Sequence, residues 1–304
     1  MFNPLKSLKA LDLVGIQNRD HRKLLLVDGR IAFLGGINIS GVYSGVSRVG
    51  GRGSFVAGSS RAETGSKGDP PFEERPWRDL QVRLEGPVVA DLQRAFARQW
   101  ERWKKEALPE AGLYPPLKSD GPHIVRAIAG SPADKGGNAL YVALISAVEA
   151  AEKEVFIVNA YFVPHPQLVA ALKSAAARGV DVKLVLPSKT DNSFVYHAGR
   201  SFYGELLEAG VKIFERRDRV LHSKAAVVDG VWTTVGSTNL DWRSLVYNDE
   251  LDAVVVGPEF ASQVLAVFAK DVANSDEITL ANWQGRSIKD RLKEAGARAW
   301  ALWL

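Results

Sequence analysis

The strongest constraint on this chain is that it contains the same unit twice. Placing His21 to Ser40 over His222 to Asp241, at a constant offset of 201 positions, aligns His21 with His222, Lys23 with Lys224, Val27 with Val228 and Asp28 with Asp229. The same offset aligns Gly29 with Gly230, Gly35 with Gly236 and Asn38 with Asn239. Seven identities in twenty positions, gathered on polar residues and glycines, mark a duplication rather than two unrelated strands. The match resumes downstream at an offset of 171, where Asp79-Leu80 and Gly86-Pro87 lie over Glu250-Leu251 and Gly257-Pro258. The first copy therefore carries 30 extra residues between its matching blocks. Residues 41–75, with eight glycines and six serines, read as that insertion and as a mobile loop.

Each copy shows two apolar strands joined through Asp-Gly, a dipeptide suited to a tight hairpin: Lys23 to Val27 with Ile31 to Leu34, and Ala225 to Val228 with Val231 to Val235. A further strand follows in each, Leu80 to Leu84 and Leu251 to Val256, and after Gly-Pro a helix, Val88 to Lys105 and Glu259 to Val272. Ahead of the second copy, helices Ala139 to Glu152, Gln167 to Arg178 and Ser201 to Ala209 alternate with strands Val155 to Tyr161, Val182 to Leu186 and Val211 to Glu215. That alternation predicts an α/β sandwich, with a first half over 1–120 and a second over 121–304. The second copy has 83 residues from Ala139 to Leu221 before its histidine, whereas only 20 precede His21. The first half is thus expected to be N-terminally incomplete, with an apolar edge left open, as in a fragment or a chain begun at an internal methionine.

Composition narrows the chemistry. With no cysteine, disulfide frameworks, thiolate zinc sites and thiol nucleophiles are excluded, and a reducing compartment is compatible. No apolar run approaches the ~20 residues of a spanning helix. A net charge of +4 permits an anionic partner without requiring one. Trp100 and Trp103 lie among Arg98, Arg102, Lys104 and Lys105, and Trp300 and Trp303 end a stretch with Arg286, Lys289, Arg291, Lys293 and Arg298. Rings beside cations suit a lipid headgroup layer, and equally an amphipathic helix with a solvated basic face.

On a strand, residues two apart share a face, so each His-x-Lys aims an imidazole and an ammonium at one place. Two copies would bring two such pairs together, with His21 and His222 facing each other across the junction. Asp79 and Glu250, equivalent in their copies, are expected each to fix the tautomer of its own copy's histidine. Asp28 and Asp229 complete the motif and are read as turn residues whose side chains bond turn amides. Tyr161, Phe162, Tyr196 and His197 are candidates for the pocket mouth, or for core and rim.

The motifs His21-x-Lys23-x4-Asp28 with Gly35-Gly36-x-Asn38, and His222-x-Lys224-x4-Asp229 with Gly236-Ser237-x-Asn239, resemble the phospholipase D superfamily. Asn159-Ala160-Tyr161-Phe162-Val163-Pro164 and Ala177-Arg178-Gly179-Val180 with Leu184 are similar to the bacterial cardiolipin synthases within it. The resemblance implies two pseudo-symmetric phospholipase D-like αβ halves and a phosphohistidine intermediate formed on a phosphatidylglycerol-like lipid. The attack on a phosphodiester that it implies needs a nucleophile, a proton for the leaving oxygen and positive charge around the phosphoryl oxygens. One neutral imidazole and one imidazolium would supply the first two, and Lys23, Lys224, Asn38 and Asn239 the third, so no metal or other cofactor is expected. By the resemblance His21 is the nucleophile and His222 the general acid/base, although the internal symmetry leaves their order open. It also implies peripheral contact with an anionic membrane on the cytoplasmic side of the bacterial inner membrane. A nuclease or other phosphodiesterase of the same superfamily, or an inactive truncated remnant, remain the alternatives.

Overall fold

A computed structural model describes residues 19–43, 72, 75–119, 121–132 and 138–299. Most of the Gly/Ser-rich segment 41–75, together with Trp300 and Trp303, lies outside the described residues, so the readings made on them stand as expectations.

The fold is mixed α/β. Its larger sheet runs β1-β11-β10-β9-β6-β7-β8-β12, with β5 paired to β11, and a second sheet runs β2-β3-β4. The strands are β1 (Arg19–Asp20), β2 (Leu24–Val27), β3 (Ile31–Gly35), β4 (Gln81–Glu85), β5 (Ile124–Gly130), β6 (Glu154–Asn159), β7 (Asp181–Pro187), β8 (Lys212–Arg216), β9 (Lys224–Val228), β10 (Trp232–Gly236), β11 (Asn248–Val256) and β12 (Ser275–Ile278). The helices are α1 (Val88–Lys104), α2 (Ala139–Ala150), α3 (Pro166–Ala177), α4 (Ser193–Arg200), α5 (Tyr203–Glu208), α6 (Pro258–Ala273), α7 (Leu280–Gln284) and α8 (Ile288–Ala299).

The duplication becomes two antiparallel meanders, β2-β3-β4 and β9-β10-β11, each followed by a helix, α1 or α6. Both hairpins close through Asp-Gly with positive φ at both residues, 52° and 61° at Asp28-Gly29 and 51° and 63° at Asp229-Gly230. That is the primed turn whose twist matches the flanking strands. The surroundings of the meanders differ. β9 is buried along its whole length because β6, leading a parallel β6-β7-β8 layer, pairs with its other edge. β2 has a single sheet partner among the described residues and alternates half-buried with exposed positions.

One apolar core lies between the β6-β7-β8 layer and its helices, around Leu144, Leu168, Leu172, Leu184, Leu206 and Ile213. The other joins the copies, bringing Leu34, Val82 and Leu92 of the first against Val227, Leu251 and Phe268 of the second. β1, only two residues long, leaves the first copy to pair in parallel with β11, Asp20 opposite Asp249. Its counterpart is the parallel bridge between Leu221 and Arg78. These two exchanges stitch the copies together directly before each histidine.

Candidate active site

Each exchange sets the position of the ring that follows it. The His21 amide donates to Asp249 O at 2.9 Å, and the His222 amide to Arg78 O at 2.7 Å. Each histidine thereby arrives beside the next residue of the other copy's strand. His21 Nδ1 donates to Glu250 Oε1 and Oε2 at 2.9 and 3.0 Å, and His222 Nδ1 to Asp79 Oδ2 at 2.7 Å. The sequence reading paired each carboxylate with its own copy's histidine, and the structure corrects it: the pairs cross. Both carboxylate side chains are 1% exposed. A carboxylate can only accept, so both rings carry their proton on Nδ1 and keep Nε2 free.

The two lysines follow the same symmetry. Lys23 Nζ donates to His21 O at 2.5 Å, and Lys224 Nζ donates to His222 O. Burial holds both ammonium groups down to about 8, against the opposing pull of Glu250 and Asp79 on each. Burial, then the Lys224 charge, also lowers His222, with Asp79 acting the other way and Lys23 adding to the fall. Glu250 would be raised by burial alone, but the hydrogen bond and charge of His21 and a bond from Ser237 bring it below the ordinary value. Lys23, Lys224, His222, Asp79 and Glu250 thus share one electrostatic neighbourhood, and His21 enters it through Glu250.

The asparagines are placed unequally. Asn239 is buried with no partner on Oδ1 among the described residues, whereas Asn38 is exposed. Asn159 holds the Asn239 loop, its Oδ1 accepting the Leu240 amide at 3.1 Å and its Nδ2 donating to Thr238 O at 3.4 Å. Asp28 and Asp229 stand at the far ends of their hairpins, about 16 Å of strand from the lysines, and so outside the site. Asp229 bonds the amides of Glu152, Lys153 and Glu154 at 3.0, 2.8 and 3.0 Å rather than turn amides, tying its hairpin to the start of β6. Asp28 is exposed, and no described strand takes β6's place beside it.

Of the four mouth candidates, Tyr161 stands edge-on to His222 at 6.5 Å, Phe162 is buried, and Tyr196 and His197 lie on α4, where Tyr196 accepts from Arg200 at 2.8 Å. The sequence reading missed several contributors. Tyr43 lies between Asp79 and His222, Trp77 packs on the His222 ring at 5.3 Å, and Ser237 Oγ donates to Glu250 Oε2 at 2.6 Å. Asp252, at the strand position two beyond Glu250, and Asp241 are both buried and raised to about 7, chiefly by burial. The alignment itself held one signal for these: Ser237 occupies the position of Gly36, where a Cβ would sit 2.1 Å from Asp79 Oδ1.

Residues 144–272 match the family described as "Cardiolipin synthase, PLD-like domain". Residues 144–272 thus carry a phospholipase D-like domain of the kind described for cardiolipin synthases. The chain is 37% identical over 280 residues to cardiolipin synthase A of Pseudomonas aeruginosa, covering 92% of this chain and 51% of that protein. Against the cardiolipin synthase of Geobacillus thermodenitrificans it is 33% identical over 287 residues, covering 93% and 52%. The chain therefore spans about half the length of these relatives. Among solved structures, phosphatidylserine synthase of Haemophilus influenzae aligns with a TM-score of 0.49 at 16% identity, over 68% of this chain and 51% of that one. The phospholipase D family member Nuc of Salmonella typhimurium aligns at 0.44 and 22%, over 52% and 99%.

Proposed function

We propose that the chain is a phosphatidyltransferase of the cardiolipin synthase type, acting on phosphatidylglycerol-like lipids. The crossed pairs, His21 with Glu250 and His222 with Asp79, are the observation that carries this reading. Two imidazoles oriented through Nδ1 present two Nε2 atoms for one phosphodiester, with Lys23 and Lys224 as the adjacent positive charge. In the first half-reaction, His21 Nε2 attacks phosphorus while the bond to the leaving alcohol breaks and that oxygen takes a proton from His222 Nε2. In the second, His222 removes the proton of an acceptor lipid hydroxyl, which attacks phosphorus as the P–N bond breaks and His21 is restored. Burial and the charge of Lys224 hold His222 towards its neutral form. A bound phosphodiester adds negative charge beside the ring and raises its proton affinity, so substrate arrival loads the acid.

Contact with an anionic membrane, at the cytoplasmic face of the bacterial inner membrane, belongs to the same proposal. No described helix is long and apolar enough to cross a membrane. Trp103 is 60% exposed beside Lys104, whose ammonium lies 5.6 Å from the Trp100 ring. Several cations of the two basic segments are engaged within the protein: Arg102 with Asp249, Arg286 with Glu294 and Arg298 with Glu205. Contact is accordingly assigned to the α1 end. The test is to supply phosphatidylglycerol vesicles and, separately, DNA. Cardiolipin and free glycerol from the vesicles, absent with His21→Asn or His222→Asn, support the reading. Phosphatidic acid alone points to hydrolysis, cleaved DNA alone to a nuclease, and no turnover of either to an inactive remnant.

A further inference from the structure

Around His222 the polar atoms form a closed triangle. The Tyr43 hydroxyl lies 3.2 Å from Asp79 Oδ2 and 3.1 Å from His222 Nδ1, while Nδ1 and Oδ2 are 2.7 Å apart. The ring's Nδ1 proton goes to the carboxylate, so the phenol's proton goes to the same oxygen. The remaining oxygen of Asp79 takes the Leu80 amide at 2.8 Å. Among the described residues, the side chains that hydrogen-bond Asp79 are thus those of His222 and Tyr43.

The second copy's carboxylate, Glu250, has a hydroxyl donor of its own, that of Ser237. The first copy has no room for one at the equivalent Gly36, where Asp79 lies too close for any side chain. Tyr43 is therefore the first copy's means of satisfying that carboxylate. It is also held in place: the Trp77 amide donates to Val42 O at 2.9 Å, and the Tyr43 and Trp77 rings meet edge-on at 6.0 Å. The two ends of the stretch separating the matched blocks are in this way joined over His222.

We propose that Tyr43 is a positioning residue of the His222–Asp79 pair, its hydroxyl sharing Asp79 Oδ2 with the ring and so setting how firmly the carboxylate holds the Nδ1 proton. The assignment of a role in transfer rests on the function proposed above, whereas the effect on His222 does not. The charged and titratable groups facing this ring are Asp79, Tyr43, Lys224 and Lys23, with Trp77 and Tyr161 as its aromatic walls. Removing the phenolic donor leaves the anion less shared, so the imidazolium is held more strongly.

Side-chain 15N NMR of the five histidines in the full chain reads this directly, His222 being assigned by its loss in His222→Asn. Tyr43→Phe keeps the ring packing and is expected to raise the His222 titration midpoint by about 0.5 to 1 unit, with a smaller change at His21. Site-specific 3-fluorotyrosine at position 43, a stronger donor of the same shape, is expected to shift it the other way and serves if the Phe variant does not fold. If transfer is measurable, the basic limb of kcat/KM moves with the NMR midpoint and KM changes little. A His222 midpoint unchanged in both variants, or shifted in the same direction by both, overturns the proposal. An active or inactive protein on lipid vesicles decides the separate question of the function.

Discussion

Lys23 and Lys224 are ammonium groups that burial brings close to losing their proton. Held down to about 8 by burial, each is partly neutral in mildly alkaline solution. On the proposed function, a bound phosphodiester favours the charged form of both, so binding takes up protons and KM is expected to climb as pH rises above 8. Lys23→Arg, whose guanidinium stays charged, should flatten that climb even if it lowers kcat; an equally steep rise in the variant rejects the lysine as its source. The crossed carboxylates carry a second expectation. Asp79→Asn should disturb the titration of His222 and leave that of His21 in place, Glu250→Gln should do the reverse, and each should cost roughly a hundred- to ten-thousand-fold in kcat. The opposite NMR pattern would mean that each acid serves its own copy's ring.

At the scale of elements, the two hairpins are a natural experiment, with the same Asp-Gly turn in two settings. Asp229 takes three amides of the stretch entering β6, and Asp28 takes none of the kind among the described residues. Asparagine tolerates the left-handed backbone that both positions require, at φ near 51° and 52°. Asp229→Asn is therefore expected to cost about 1 kcal/mol in chemical denaturation, and Asp28→Asn within about 0.5 kcal/mol of nothing. Equal costs would show that the turn itself, not the tie to β6, uses the aspartate. Asp252 sets a pH dependence of its own. Raised to about 7 in the folded chain, it binds its proton more tightly there than when unfolded. Its contribution is whole below the usual carboxylate range and is lost as pH rises from about 4 to 7. Asp252→Asn should flatten the fall in Tm over that interval, and an unchanged slope would remove Asp252 as its cause.

Much of the element order is legible in the chain because the strands of the repeat and the β6-β7-β8 layer are apolar runs bounded by turns. The strand expected at Ala225 to Val228 is β9, shorter by the single residue Lys224, and the expected helix at Gln167 to Arg178 is α3, offset by one. Elements defined by partners rather than by pattern were not readable. β1 is two polar residues whose strand character comes from β11, and β12 has the charged core Asp276-Glu277 and exists through β8. The predicted helix at Ser201 to Ala209 is α5, and α4 before it went unseen, its Phe194, Tyr196 and His197 breaking a plain apolar stripe. The site divides in the same manner. The histidines and lysines were readable from the repeat, whereas the crossing of the acids depends on register between segments 229 and 143 residues apart, which no local spacing encodes.

For the whole molecule, the pseudo-symmetry is a comparison between a surface that the described residues cover and one that they leave open. Around the second copy, α6 packs over β6 to β9, Phe268 is 1% exposed and stacks on Phe156, and β9 has both edges paired. Around the first, β2 keeps an edge unpaired by any described strand, Leu25 is 56% exposed, and Phe96 and Trp103 on α1 are 41% and 60% exposed. A groove of about 750 Å³ runs beside that edge, between Arg22, Leu24, Phe96, Trp100, Trp103 and Lys104. An open strand edge next to aromatic surface is a template for another chain, because its amides and carbonyls want partners and its side chains want cover. The protein is therefore expected to associate with rising concentration, measured by sedimentation velocity, and Leu25→Lys should shift the distribution towards the monomer without altering the His222 titration, since β2 lies outside that ring's contacts. Sedimentation as a monomer at every concentration, with and without the substitution, would show that the open edge is not sticky, and that burial of the first copy's core against Val227, Leu251 and Phe268 is enough to keep it solitary.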